Sequence, residues 1–460
     1  MVRAIESRAA LRVLHLIKDG VIRLRVRVYD RVRSSRSVSE LSAIFLIVQY
    51  FARRQPPSTK LPLLTTALRR SNHPLVRRTI HSSLKQWLQP PQSDVWRTEK
   101  IGWSRYENEI ADPLMRKSLV LKAPTSGEKG VLYVSFEVNL LRLCQHCDIE
   151  RLLAEYYLVL ATSWSPLDCQ PLLSTANLSP DPLFVQISNR EDLELLRVCG
   201  STVHPVPIMA CDWIDPRSYA PKPRTIRPLD ILMVAGWARL KGHWMLFRAL
   251  RRMRKGLRVL LVGQNMEGRT ADAVYAEAKA FGVGDRIEMI RDAPARLVRE
   301  LQCDSKIAVV LSRREGSGVV TAESFFADTP VAMLRGAHVG SRAYINDRTG
   351  ILSNPDRLHR DLSVFLEQSD TYAPRAWALD HITCYHSHRR LNAILRNHAV
   401  ETRCSWSHDI VPFCWRPDPV YLDDRDRSEL APAYEELHAR YGILFAGHVA
   451  APRCEGTQRQ

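Results

Sequence analysis

The stretch Asp230-Ile-Leu-Met-Val-Ala-Gly-Trp-Ala-Arg-Leu-Lys-Gly242 opens a run in which short apolar segments alternate with amphipathic ones. Its first six residues have the length and composition of a buried strand, and Gly236 and Gly242 follow as turn signals. Just beyond, Leu246, Phe247, Leu250 and Met253 recur at three- and four-residue offsets, which predicts a helix over 243–253. The pattern then repeats, with strands at 257–262, 286–290, 307–311 and 331–334 and helices at 271–281, 295–301 and 318–327. Strands separated by helices pair in parallel, because a crossover of that length is what returns the chain to the same end of a sheet. Residues 230–370 are therefore expected to form a doubly wound α/β domain that binds its ligand at the carboxyl ends of the strands.

Upstream, Pro216, Pro221, Pro223 and Pro228 crowd a basic stretch without periodicity, which marks residues 216–229 as a linker. Residues 96–215 repeat the alternation more loosely, with strands at 131–136, 157–162, 183–187 and 203–207 and helices at 148–156 and 192–198. The expected fold class is thus α/β with two Rossmann-like domains. A basic N-terminal extension at 1–95, punctuated at Gln55-Pro-Pro-Ser58 and Gln89-Pro-Pro-Gln92, precedes them. Residues 371–460 read as a C-terminal helical extension with Trp377, Leu379, Ile382, Leu391, Ile394 and Leu395 on its apolar face. A chain of 460 residues has room for these several cores.

The formal net charge of +17 is concentrated at one end: residues 1–90 hold 18 Lys and Arg but only the acids Glu6, Asp19, Asp30 and Glu40. Such a block suits anionic lipid, a partner or plain solvation. No nucleic-acid partner is expected, because neither zinc-finger spacing nor a stacking-aromatic motif accompanies the charge. The longest apolar stretch, Leu41–Ala52, is too short to span a bilayer, and charges recur from Arg3 to Asp19 where a signal peptide needs an apolar core. The expectation is a cytoplasmic protein, peripheral at the inner face of the membrane through residues 1–95. Ten scattered cysteines agree with a reducing compartment. Neither the Cys144/Cys147 pair nor the cluster Cys384, His386, His388, Cys404, His408 and Cys414 has regular zinc-site spacing, so no metal ligands are assigned.

Chemistry concentrates at Ser312-Arg-Arg-Glu315-Gly-Ser-Gly-Val-Val-Thr-Ala-Glu323. Glu323 lies on a predicted helix among Val319, Val320, Phe326 and Ala327, so its carboxylate faces inward and needs hydrogen-bond donors. A capping or core-satisfied glutamate would look the same. Glu315, however, precedes Gly316, Ser317 and Gly318, a small-residue loop that lets amides at a helix start approach an anion. With the helix starting near Ser317, Glu323 would stand about 9 Å along the axis at about 1.5 Å per residue. Arg239 and Lys241, after the first strand, add positive charge at the facing strand end.

On these residues the segment 230–367 resembles the nucleotide-binding half of the group 1 retaining glycosyltransferases, which have the GT-B fold. The shared landmarks are Lys241-Gly242, Leu261-Val262-Gly263, the two-glutamate motif, Thr329-Pro330-Val331 and Asp347-Arg-Thr-Gly350-Ile351. The resemblance implies that Glu323 binds the donor ribose, Glu315 the transferred sugar, and the amides of Gly316–Gly318 the sugar or phosphate. It gives Arg239 and Lys241 to the diphosphate, with Gly236 beside them. The partners it implies are a nucleotide-diphosphate sugar and a glycan or lipid-linked acceptor, with retained configuration, no cofactor and no obligatory metal. Two positions depart from the family: Trp237 stands where an arginine is frequent, and Ser317 where a bulky residue is. In the first domain, Glu137 and Asn139 follow a strand end and are acceptor-side candidates, although Glu137 also suits a helix start. Two alternatives remain open: a scaffold that keeps the fold without transfer, and another reaction on the same architecture.

Overall fold

The computed structural model describes residues 17–26, 28, 36–52, 57–71, 73–87, 99–176, 181–198, 203–416 and 418–446. The expected boundary at Gln89–Gln92 lies outside them. The chain divides into two compact units: one holds Ser42–Trp213 and resumes at Cys384, and the other holds Ile214–Thr383 with the described residues before Ser42.

After a helical stretch at 17–26 come helices α1 (Arg36–Ala52), α2 (Pro57–Arg70) and α3 (Pro74–Trp87), two of them opened by a proline whose missing N–H would be unpaired there anyway. Trp87 Nε1 donates to Tyr50 Oη at 2.9 Å and ties α3 to α1. Part of the expected extension is therefore folded with the first unit. The unit's sheet has β1 (Ser118–Lys122), β2 (Gly130–Ser135), β3 (Tyr156–Ala161), β4 (Leu183–Gln186) and β5 (Val203–Val206), adjacent in that order. Only β1 runs antiparallel. Helices α4 (Glu137–His146), α5 (Ile149–Glu155) and α6 (Arg190–Val198) supply crossovers.

Parallel strands that add one after another to the same edge through right-handed crossovers put their helices on one face. The other face needs a different cover.

The second unit holds β6 (Leu229–Val234), β7 (Val259–Gly263), β8 (Ile287–Arg291), β9 (Ser305–Val310), β10 (Val331–Leu334) and β11 (Gly350–Ser353), all parallel. Their spatial order is β11-β10-β9-β6-β7-β8. The strand order thus reverses between β6 and β9, and the crevice at their carboxyl ends is where doubly wound sheets bind ligands. The connecting helices are α7 (His243–Leu250), α8 (Ala271–Ala280), α9 (Ala295–Cys303) and α10 (Val319–Phe326), followed by α11 (Leu358–Glu367) and α12 (Pro374–His381). The expected linker is pinned to this unit: Arg227 Nη1 donates to Ser305 O at 2.8 Å and Thr329 Oγ1 at 2.7 Å, and Arg224 Nε donates to Asp328 O at 2.9 Å.

The chain then returns to the first unit through α13 (Cys384–Glu401), a hairpin of β12 (Phe413–Trp415) and β13 (Pro419–Tyr421), and α14 (Ala431–Tyr441). Leu391, Leu395, Ala399 and Phe413 pack on the open sheet face, against Tyr133, Tyr157, Val159 and Phe184. Residues 384–446 were expected as part of a separate extension, but they complete this core. The reason is the topology, which leaves that face without helices of its own. Cys384 and Cys414 are buried here as apolar side chains. Among the described residues no group of three His, Cys, Asp or Glu is placed to hold a metal ion, and no helix is long and apolar enough to cross a membrane.

Candidate active site

The site is built from the two chain segments that leave the sheet at the order reversal. After β6 the chain makes one 3-10 turn, Arg239–Lys241, and then Gly242, with φ +73°, starts α7. A Cβ at Gly242 would run into the Leu311 carbonyl and the Met245 side chain. The absence of that Cβ lets the Lys241 turn lie directly on the end of β9. Across it, Lys241 Nζ donates to Glu315 Oε1 at 2.7 Å, with both side chains less than one-fifth exposed. Ser312 Oγ donates to the same carboxylate oxygen.

The Glu315 loop is fixed from the other side. Glu315 N donates to His338 O at 3.0 Å, while Gly340 N and Ser341 N donate to the carbonyls of Gly316 and Ser317, each at 2.8 Å. Gly318 turns the chain into α10 at φ +70°, where a Cβ would meet Val339 and Ser341. Gly318 and Val320 line the cleft, so the N-terminal end of α10, with its first-turn amides and the positive end of its dipole, borders it. The helix begins at Val319, two residues later than expected. Its delayed start puts Glu323 about 6 Å along the axis, rather than about 9 Å, at about 1.5 Å per residue.

The resulting cleft, open to solvent and with a cavity volume of about 230 Å³, is lined by Gly236, Lys241, Gly263, Asp292, Glu315 and Gly318, among others. Sequence reasoning missed Ser312 as a partner of Glu315, although the residue stood inside the quoted motif. It also missed Asp292, whose φ of +49° turns the chain after β8 so that its N–H reaches Gly263 O at 2.9 Å. The only signal was a short polar residue between a strand and Ala293-Pro294.

Two residues assigned to the donor stand elsewhere, and Trp237, a departure from the family pattern, is buried. Glu323 points at α9, where Gln302 Nε2 donates to Oε2 at 3.4 Å, and it is not among the residues lining the cleft. Burial raises its carboxyl above the usual range, with Gln302 and Arg299 opposing. Arg239 lies beside Glu277 of α8, whose carboxyl burial pushes up while Arg269 and Arg239 hold it down. Arg269 forms the ion pair with Glu277 at 2.5 Å. Trp237 is fully buried under the loop, close enough to Gly263 that a Cβ there would touch the indole at 3.1 Å. Of the charged residues assigned to the donor, Lys241 and Glu315 meet in the cleft.

In the first unit Glu137 and Asn139 are occupied by the protein itself. Tyr106 Oη donates to Glu137 Oε1 at 2.7 Å and Ser163 N donates to Oε2 at 3.1 Å. Asn139 Nδ2 donates to Arg116 O at 2.6 Å and to Ser135 O, and Oδ1 accepts from Arg142 Nη1 at 2.7 Å. These bonds hold the turn from β2 into α4, where Phe136 has φ +65°.

His243, at the start of α7, packs on Trp237 with ring centroids 5.5 Å apart. Burial first, then Arg269 and Lys241, pushes its imidazole down to about 3. An unfolded histidine titrates near about 6.5, so between these values the unfolded chain binds a proton that the native one does not. This contribution to stability is present above about pH 6.5 and is lost as pH falls toward 3. At pH 4.5 the deficit is on the order of 2–3 kcal/mol. The expected result is that His243→Phe flattens the fall of Tm with acid relative to wild type. Parallel Tm profiles would contradict this reading.

Residues 221–373 match the family model described as glycosyl transferases group 1. A comparison with curated proteins gives no match. Solved structures similar to the chain include a sucrose-phosphate synthase from Thermosynechococcus elongatus, at 14% identity and a TM-score of 0.47 over 68% of this chain and 80% of that one. Another is HepE of Anabaena in complex with UDP and glucose, at 15% identity and a TM-score of 0.49 over 58% and 78%. A third is the lipopolysaccharide outer core galactosyltransferase WaaB, at 13% identity and 0.42 over 59% and 75%. Residues 221–373, which contain the two-glutamate loop and the cleft, are a group 1 glycosyltransferase domain.

Proposed function

We infer that the chain transfers a sugar from a nucleoside-diphosphate sugar to a glycan or lipid-linked acceptor, with retention of configuration. The observation that supports this most is the Lys241–Glu315 pair in the cleft at the order reversal, beside the amide end of α10. As the sugar–phosphate bond breaks, negative charge grows on the departing diphosphate, and a fixed cation and helix-end amides stabilise that state more than the ground state. Lys241 holds such a position, and its present partner keeps the ammonium oriented until a phosphate competes for it. Glu315, released, accepts hydrogen bonds from sugar hydroxyls. With positive charge supplied by these groups, the reading requires neither a resident metal ion nor a cofactor.

Calorimetric titration with UDP, GDP and the matching monophosphates tests the inference. One diphosphate should bind, and Lys241→Ala should weaken it by about 10- to 100-fold, the weight of a charged hydrogen bond, with a smaller effect on the monophosphate. Absence of binding by any diphosphate at millimolar concentration would favour a scaffold that has lost the site.

A further inference from the structure

The donor cleft leaves one conspicuous feature unused, the outward face of α1. That helix is 17 residues long and buries Ala43 and Tyr50 on its inner side. On the outer side Val38, Leu41, Ile44, Phe45, Val48 and Phe51 are all exposed, Leu41, Phe45 and Phe51 by more than 60%. At 100° per residue these six fall within an arc of about 140°, a stripe about 20 Å long. Isolated exposed apolar residues need no explanation, but a contiguous stripe of this kind marks a surface that something else covers. A second exposed run, Ile17, Val21, Leu24 and Val28, repeats at four- and three-residue spacing nearer the N-terminus.

Charge selects the occupant. In sequence Arg31, Arg33 and Arg36 precede the stripe, Arg53 and Arg54 follow it, and Glu40 is the only charged residue of the helix after Arg36. A second copy of the chain would bring the same excess of positive charge against itself. An anionic bilayer supplies both the opposite charge and an apolar layer, and 17 residues are too few to cross it, so the helix must lie in its plane.

We propose that α1 lies in the surface of an anionic membrane, with Leu41, Phe45, Val48 and Phe51 among the acyl chains. The full chain should sediment with vesicles of phosphatidylcholine mixed with phosphatidylglycerol, and added salt should weaken this binding. Vesicles of phosphatidylcholine alone should bind it less. Replacing Leu41→Ser, Phe45→Ser and Phe51→Ser together should lower partitioning by about tenfold or more, in proportion to the apolar area lost. Because all three are exposed, Tm should not change. Equal binding by the triple variant, or no binding by the wild type, would overturn the proposal. So would a dimer that the triple variant converts to monomer while vesicle binding persists. The readout involves no nucleotide, so failure here and failure of the donor site are distinguishable.

Discussion

Lys241→Ala is expected to lower kcat by about 10²–10³-fold with the chain's nucleotide-sugar donor, the usual loss when one preorganised charge-stabilising donor is removed from a transition state. Lys241 Nζ is 2.7 Å from Glu315 Oε1. This contact means that the alanine variant also leaves Glu315 as an uncompensated, four-fifths-buried carboxylate. Glu315→Gln should therefore reduce turnover by a similar order while disturbing the local charge less. Residues that act as a pair are not additive, so the double variant should be far less impaired than the product of the two single effects. Steady-state kinetics with all three proteins checks this. Undiminished turnover in both single variants would remove the pair from the reaction.

The second large effect concerns stability. Trp213 is fully buried in the first unit, stacked on Phe413 at 4.1 Å and edge-on to Tyr133 at 6.2 Å, and its carbonyl accepts from Trp415 N at 2.7 Å. One side chain thus joins the sheet face to the C-terminal hairpin that covers it. Trp213→Ala removes the largest apolar contact at that junction and is expected to cost about 3–5 kcal/mol. Chemical denaturation should show the loss in the first unit's transition. A change below about 1 kcal/mol, ordinary for surface sites, would mean that the hairpin is not held through Trp213.

The comparison of sequence with structure divides along physical lines. The buried strands were legible, since Leu229–Val234, Val259–Gly263 and Val331–Leu334 are short apolar runs bounded by turn residues. Two strands of the larger sheets were missed. Ser118–Lys122 is entirely buried although it ends in Lys122, whose ammonium pairs with Glu128 and stacks over Trp406. Gly350–Ser353 is only four residues long and half-buried in its middle. The return of Cys384–Tyr441 to the first sheet depends on which face the crossovers leave open, and no local pattern encodes that.

The site was legible in part for the same reason. Lys241, Glu315 and Gly318 meet because two strand ends adjoin in the sheet, and the motif spacing was enough to anticipate it. Arg239 is close enough to Glu277 of α8, far along the chain, to help hold that carboxyl down. Glu323 faces α9, where Gln302 donates to it, a contact between helices that no local pattern encodes.

The central claim is that the Lys241–Glu315 cleft receives the donor's diphosphate, and the crystal structure of the chain with its preferred nucleoside diphosphate tests it most directly. The account predicts phosphate oxygens within about 3 Å of Lys241 Nζ, hydrogen-bond distance, and beside the amides that open α10, with Glu315 released from the lysine. A nucleotide bound elsewhere, with the Lys241–Glu315 pair intact, would contradict it.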